Sequence, residues 1–582
     1  MRFFSTAFLC LAALGSAWAQ PTITGIVNAA NYSTGIAQGS IFVVFGSNMG
    51  PSTLVSVPSF PVPTTLSGTS MRFTPVAGGP AFDALMVYTS AGQVAGILQS
   101  SAPVGNYNVT LSYNGATSAA FRTSVVSRNF GLISLAGSGT GPAVAQIADL
   151  GSRVNQFGAP ASPGQTIVLY GIGLGPITAP DNNPPGLQDL KGPAAVAVLV
   201  GDVEVAPVYA GRSPGIPGLD QINFVVPANA PLGCTIPVRI RVAGSTTGAS
   251  TTLALSRSGD SICTHPFYSA DSLRRLDAGG TLTTGSFALT SQSIKISLPI
   301  IGNQTIKSEA IGGSFAAVTL ANVSDVSDSD TAGLFVNVGS CTIYRLVADQ
   351  TGAVVGGSVR LLDAGTQLTL NGPGISNKAV PQTPAGSKSY SATLGDPTGG
   401  ISIPGFPGGI PGQTPSAGVS AGTFTISGPG GSEVGPFTAS LRVPQPIVWT
   451  NQDQLSANPI IRSSGVTLNW TGGEASDIIT IFGSTGVPAG GTQANPIFST
   501  TTFICSARGD ARTFTVPGSV LSQLPASTGS ITDGTGVSIL ALQQSTASEQ
   551  NGRFTAPLNA GGNIDFGIFT YAIGGLSNVT WR

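Results

Sequence analysis

Residues 37–51 read Ala-Gln-Gly-Ser-Ile-Phe-Val-Val-Phe-Gly-Ser-Asn-Met-Gly-Pro, and residues 162–176 read Ser-Pro-Gly-Gln-Thr-Ile-Val-Leu-Tyr-Gly-Ile-Gly-Leu-Gly-Pro. Gly39, Gly46, Gly50 and Pro51 recur as Gly164, Gly171, Gly175 and Pro176, each 125 positions later. A repeat of this length constrains the fold strongly. It means two tandem domains of one design rather than a single large catalytic core. Each copy is a short apolar run that begins and ends at glycine, the punctuation of a strand between two turns.

The same punctuation continues along the chain. Apolar runs at Ser40–Phe45, Tyr107–Tyr113, Ala194–Val200, Gln221–Val226, Ile236–Val242, Val466–Trp470 and Ile478–Phe482 are bounded by Gly, Pro, Asn or Asp. Their period is two, not 3.6. The fold class predicted is all-β, a tandem array of immunoglobulin-like β-sandwich domains. A chain of 582 residues has room for about four. The expected units are 20–127, 128–257, 266–444 with a Pro/Gly loop at 397–415, and 445–582. The 79 Gly and 42 Pro supply the turns, and the 41% apolar content supplies cores that a disordered chain lacks.

Residues 1–19 read as a secretory signal: Arg2, an apolar stretch from Phe3 to Leu14, and Ala17-Trp18-Ala19 before cleavage. Mature protein then begins at Gln20, and no later run is long and apolar enough to span a bilayer as a helix. Charged residues are 8% and the net charge is −1. A surface this neutral excludes nucleic-acid binding by counterion release and the steering of strongly charged substrates. Four cysteines come after the signal, none in a C-x-x-C pair, so an exported chain points to disulfides. Cys234 opens one strand and Cys263 comes after the next, which predicts a Cys234–Cys263 bond. Cys341 and Cys505 fall in different expected domains and are predicted to stay unpaired.

The segments "VNAANYS" (27–33), "GSIFVVFGSNMGP" (39–51), "PGQTIVLYGIGLGP" (163–176) and "PGLDQINFVVP" (217–227) resemble a family of secreted, uncharacterised proteins of acidobacterial type with tandem IPT/TIG-like modules. The resemblance covers about 25–245. It implies secretion and an immunoglobulin-like fold, and it brings no catalytic residues. In the first module the Gly-Leu-Asp-Gln-Ile-Asn signature has decayed to Tyr88-Thr-Ser-Ala-Gly-Gln-Val, so the resemblance carries no contact made by it over to that module.

Candidate chemistry is sparse. Gly211-Arg-Ser213-Pro-Gly215 fits the G-x-S-x-G elbow, but prolines stand where the elbow needs a helix, and His265 is the one histidine. Gly171-Ile-Gly-Leu-Gly175 lacks phosphate-loop spacing and reads as a strand-end turn. Asp325, Asp328 and Asp330 are a candidate calcium set, weighed against a solvated acidic loop. Arg508-Gly509-Asp510 matches an adhesion tripeptide and is expected at a hairpin tip. Trp470 resembles the core tryptophan of immunoglobulin-type strands. No cofactor is predicted apart from that calcium set.

Three functions are compatible with these residues. The leading one is an exported, non-catalytic structural, adhesive or surface-scaffold protein, with extracellular polysaccharide or a cell-surface protein as partner. The second is a carbohydrate-binding module array. The third is a secreted hydrolase using a carboxylate pair.

Overall fold

A computed structural model describes residues 20–582 apart from 136, 138, 140, 202, 247–250, 266–267, 299–301, 320–338, 340, 349–358, 396–417, 476, 492–495, 528–537 and 547–550. The chain is all-β, a series of sandwiches, as the period-two runs predict. Asp325, Asp328 and Asp330, the 397–415 tract and the signal segment lie outside the described residues.

In the first module, strands Thr22–Asn28, Ile41–Ser47, Gln93–Ile97, Leu85–Thr89 and Val55–Ser56 form one sheet in that order. The facing sheet includes Phe121–Val126, Gly105–Tyr113 and Thr69–Pro75, with Phe42, Val44, Phe73 and Val109 buried between. The second module repeats the plan: Ala145–Ile147, Thr166–Ile172, Asp220–Val225, Tyr209–Arg212 and Gln188–Asp189 lie side by side. Ile167, Leu169, Ile222 and Phe224 meet Val238 and Ile240 of its other sheet.

Strand register gives the repeat its physical content. Val44 pairs with Ile26 and Val94, and Leu169 pairs with Ala145 and Ile222. Gly46 and Gly171 are glycine for one shared reason. A Cβ on Gly46 would sit 1.9 Å from the Thr22 carbonyl oxygen, and one on Gly171 would sit 2.6 Å from that of Gly131. In both modules the opening strand crosses too closely for a side chain.

The two modules are joined by polar contacts rather than by a loose tether. Buried Asn28, from "VNAANYS", donates from Nδ2 to the carbonyls of Asn129 (2.7 Å) and Ile172 (3.2 Å). Asn129 donates back to Ser33 Oγ at 2.9 Å and to the Gly35 carbonyl at 2.6 Å. Asp181 accepts from the amide and hydroxyl of Ser100 at 2.6 and 2.8 Å. Gly218 presses so closely on Ile41 that an added Cβ would lie 2.7 Å from its Cγ1.

After Cys263 the chain enters helix Ala270–Asp277. Ser269 caps it, its Oγ accepting from the Ser272 amide at 3.2 Å, and Leu273 and Leu276 bury against Phe157 and the bonded pair Cys234–Cys263. The helix ties module two to the second half of the chain. Asp277 accepts from the Gly158 amide at 2.6 Å, while Ser272 donates to Asp565 at 2.7 Å.

The expected boundary between 266–444 and 445–582 is corrected here. One ten-stranded sheet runs through both, with Pro496–Arg508, Asp477–Gly491, Ser538–Thr546, Phe566–Asn578, Leu282–Leu298 and Gly302–Val318 in successive places. Phe566–Asn578 lies parallel to Leu282–Leu298, from Thr284 opposite Phe566 to Lys295 opposite Ser577. Two small sheets cover separate parts of it. Strands Gln367–Gly372, Ile375–Pro381, Gly422–Gly428 and Phe437–Val443 enclose Phe287, Phe315, Tyr390 and Phe424. Strands Val448–Trp449, Val466–Thr471 and Thr513–Val516 enclose Trp470, Phe503 and Trp581. Local periodicity marks strands but is blind to a partner nearly 300 residues away, so one shared sheet looks like two domains in the sequence.

The same sheet corrects the cysteine expectation. Cys341 and Cys505 are directly opposed on neighbouring antiparallel strands, Cα atoms 4.0 Å apart, and are disulfide-bonded.

Glu433 anchors the first of these two cores. It pairs with Lys388 at 2.7 Å and with Arg360, and its Oε2 accepts from the Asp363 amide at 2.9 Å. The Lys388 ammonium, the Asp363 amide and Arg360 hold its carboxyl down at about 2 against burial. A carboxyl depressed in the folded state stabilises above its unfolded value, near 4.5, and loses that contribution as pH falls toward 2. Glu433→Gln is expected to flatten the acid limb of the unfolding midpoint between about pH 4.5 and 2, leaving the neutral-to-alkaline slope unchanged. Parallel acid limbs for variant and parent would refute this.

Candidate functional site

The residues singled out for chemistry are mostly consumed by the fold. Ser213 is buried; its amide donates to the Leu219 carbonyl at 2.8 Å and its hydroxyl lies 3.3 Å from Gln221 Oε1. A turn leads from it into strand Asp220–Val225, not into a helix, so the elbow geometry is not formed. His265 stacks on Tyr268, ring centroids 4.8 Å apart, and its Nδ1 accepts from the Tyr268 amide at 3.3 Å. Burial pushes its imidazole down to about 4, leaving it neutral at ordinary pH.

The Gly171–Gly175 turn does hold an anion, supplied by the chain itself. Asp220 Oδ2 accepts from the amides of Gly173 and Leu174 at 2.7 and 2.8 Å. Its other oxygen meets Arg212 at 2.6 Å, and Arg212 donates to the Gly175 carbonyl at 2.9 Å. Both side chains are fully buried. Burial pushes the Asp220 carboxyl up; Arg212 and the two amides oppose it. Two motifs that read as separate in the sequence, "GIGLGP" and "GLDQIN", are thus halves of one lock. Gly92 precedes Gln93 in module one, where Asp220 precedes Gln221, so module one has no carboxylate to make this lock.

Arg508 and Asp510 pair with each other at 3.0 Å, and the Gly509 carbonyl accepts from Trp470 Nε1 at 2.8 Å. The tripeptide is not at a hairpin tip. It carries the chain from the large sheet, through strand Pro496–Arg508, to Thr513–Val516 of the small one. Trp449, Trp470 and Trp581 are all buried, Trp470 in the core position its resemblance implies. A cavity under Leu135, Asn155, Phe157 and Cys234 is lined by one carboxylate, Asp277. Among the described residues no cluster of three or more His, Cys, Asp or Glu is placed to hold a metal.

What remains is a surface, legible only after the signature is placed in the sheet. In Asp220–Val225 the side chains alternate: Asp220, Ile222 and Phe224 are buried, while Gln221, Asn223 and Val225 face outward. Register carries this outward set across the sheet. Val154, Gln146, Val168, Asn223 and Tyr209 stand in one row, and Tyr170, Gln221, Gly211 and Asp189 in the next.

Gly211 leaves a gap in the second row, and Tyr209 fills it. The Tyr209 hydroxyl comes within 2.9 Å of where a Gly211 Cβ would be and donates to the Arg212 carbonyl at 2.5 Å. The ring is therefore laid along the strand. Burial pushes the phenol up and keeps it protonated, although the Gln188 carbonyl contact pulls the other way. Tyr170 donates to Gln146 Oε1 at 3.0 Å, and Gln221 Nε2 donates to Asn223 Oδ1 at 2.9 Å. With those oxygens engaged, the amide N–H groups of Gln146 and Asn223 have no partner among the described residues.

No protein-family model matches the chain, and no curated protein does. Solved structures to which the chain shows some similarity include SGBP-B of a Bacteroides ovatus mixed-linkage glucan utilization locus, in complex with a mixed-linkage heptasaccharide. It is 11% identical over 94% of this chain and 99% of its own, with a TM-score of 0.13. SGBP-B from a complex xyloglucan utilization locus of Bacteroides uniformis is 10% identical over 96% and 100%, TM-score 0.16. The BSP domain of a biofilm-associated protein is 11% identical over 98% and 99%, TM-score 0.12. Similarity of this extent says nothing about ligand or role.

Proposed function

We propose that this chain is an exported, non-catalytic array of β-sandwiches with a structural or adhesive role outside the cell. The observation that supports it is the way the sandwiches are locked together. Asn28 and Asn129 reach across the first joint, helix Ala270–Asp277 bridges the second, and one sheet unites the last two cores. Residues with catalytic chemistry are taken up by the fold: Ser213 and Asp220 close a hairpin, His265 packs on Tyr268, and Asp510 is paired to Arg508. Such an array presents surfaces at fixed spacing, which suits many weak contacts with a polymer or a cell-surface protein. The two disulfides fit an oxidising compartment.

A second reading, a carbohydrate-binding array, is favoured by the tyrosine and amide rows of module two. Purified mature protein assayed on polysaccharide, ester and peptide substrates is expected to show no turnover. Turnover abolished by replacing one pair of carboxylates would overturn the non-catalytic reading.

A further inference from the structure

We propose that the outward face of the second module, built around Tyr209, Asn223 and Gln146, is a binding site for a neutral glycan chain. The inference rests on the non-catalytic reading above and adds a ligand class and a place. Its strongest support is internal to the protein. Module one has the same sheet, and its equivalent row runs Val27, Val43, Ala95 and Tyr88. Tyrosine is kept at the end of the row, Val43 corresponds to Val168, but Gln146 replaces Val27 and Asn223 replaces Ala95. The fold therefore does not require amides at these positions, since its other copy does without them.

The two faces differ accordingly. In module one Val27, Val43 and Ala95 are buried in a cluster with Tyr32, Phe45 and Tyr88. In module two Val168 is buried like Val43, but Gln146, Asn223 and Tyr209 are half-buried and the row is edged by the exposed Val154, Val208 and Val225. The relay from Ser213 through Gln221 occupies Asn223 Oδ1 and leaves its side-chain amide hydrogens without a partner among the described residues. Tyr170 does the same for Gln146.

These groups specify the occupant. Unspent neutral N–H donors match hydroxyl and ring oxygens. A flat tyrosine ring matches the apolar face of a sugar. Asp189 is the one charged residue in the two rows; the cation beside it, Lys191, is paired with it at 3.4 Å and donates to the Val208 carbonyl at 3.0 Å, and Arg212 is turned inward, so an anionic polymer meets a carboxylate and an already paired ammonium here. The row from Gln146 to Tyr209 crosses four strands, about 14 Å at ordinary strand spacing, which suits a run of sugar rings rather than one.

The test uses the full mature chain in affinity electrophoresis and calorimetry with hydroxyethylcellulose, galactomannan, soluble starch and polygalacturonate. At least one neutral polymer is expected to bind and polygalacturonate is not. The double variant Gln146→Val with Asn223→Ala imports the residues module one already carries, so it is expected to fold, with an unchanged unfolding midpoint. It should bind about tenfold more weakly or not at all. Tyr209→Phe keeps the ring and should retain binding within about threefold. Failure of all three neutral polymers to bind, preference for polygalacturonate, or full affinity in the double variant would each overturn the site. None of these outcomes touches the non-catalytic reading, which turnover alone decides.

Discussion

Asp220→Ala is expected to cost module two about 3–5 kcal/mol of stability, the usual consequence of removing one partner from a buried ion pair. The loss has two sources. Arg212, fully buried, keeps its charge with no carboxylate beside it, and the amides of Gly173 and Leu174 lose their acceptor. Hydrogen exchange of the intact chain should show faster exchange in Thr166–Ile172 and Asp220–Val225, with the ten-stranded sheet unaffected. Replacing both partners by apolar residues, Arg212→Met with Asp220→Leu, should recover part of the loss, because no charge is left stranded. A single variant that loses less than about 1 kcal/mol would show that the pair is not desolvated as described.

Replacing Cys341 and Cys505 by serine is expected to have an effect at least as large. The bond spans 164 residues, and closing a loop of that length stabilises by roughly 5 kcal/mol in the chain-entropy model. The Cys234–Cys263 bond spans 29 residues and is worth roughly 3–4 kcal/mol on the same basis. The longer bond also pins strand Cys341–Ala348, whose one neighbour among the described residues is Pro496–Arg508. Its loss should appear as early proteolysis in 341–348 while modules one and two stay intact. Non-reducing peptide mapping that recovers either cysteine as a free thiol would sink the assignment.

What can be read from the sequence, and what cannot, divides along a physical line. Gly39 and Gly164 are legible because both adopt a left-handed φ, +69° and +88°, that favours glycine. Alternation in "DQINFVV" tells which side chains share a face, and the structure keeps that alternation. It does not tell which face is inside. Asp220 is on the inside because its partner Arg212, 8 residues away, and the Gly173 amide, 47 residues away, close around it. The Cys341–Cys505 bond and the absence of a boundary at 444 escape the sequence for the same reason. Both depend on a register set between strands far apart in sequence, which no local pattern encodes. The outward amide face of module two carries a faint signal: Gln221 and Asn223 are amides two apart in a strand, opposite a tyrosine strand, but their company with Gln146 needs the sheet.

The parallel pairing of Leu282–Leu298 with Phe566–Asn578 has a kinetic consequence. A strand near residue 290 must wait for one near 570 before its sheet is complete. The ordering entropy of everything between is spent before that contact forms, which makes folding of this half slow. Modules one and two face no such delay, since their pairings close within each module. An exported chain of this design would emerge with its first half finished and its second half still exposing unpaired strand edges, the state most open to aggregation. Gly, Ser and Thr along those long strands, in place of unbroken Val and Ile, lower the tendency of such edges to stick to one another while they wait.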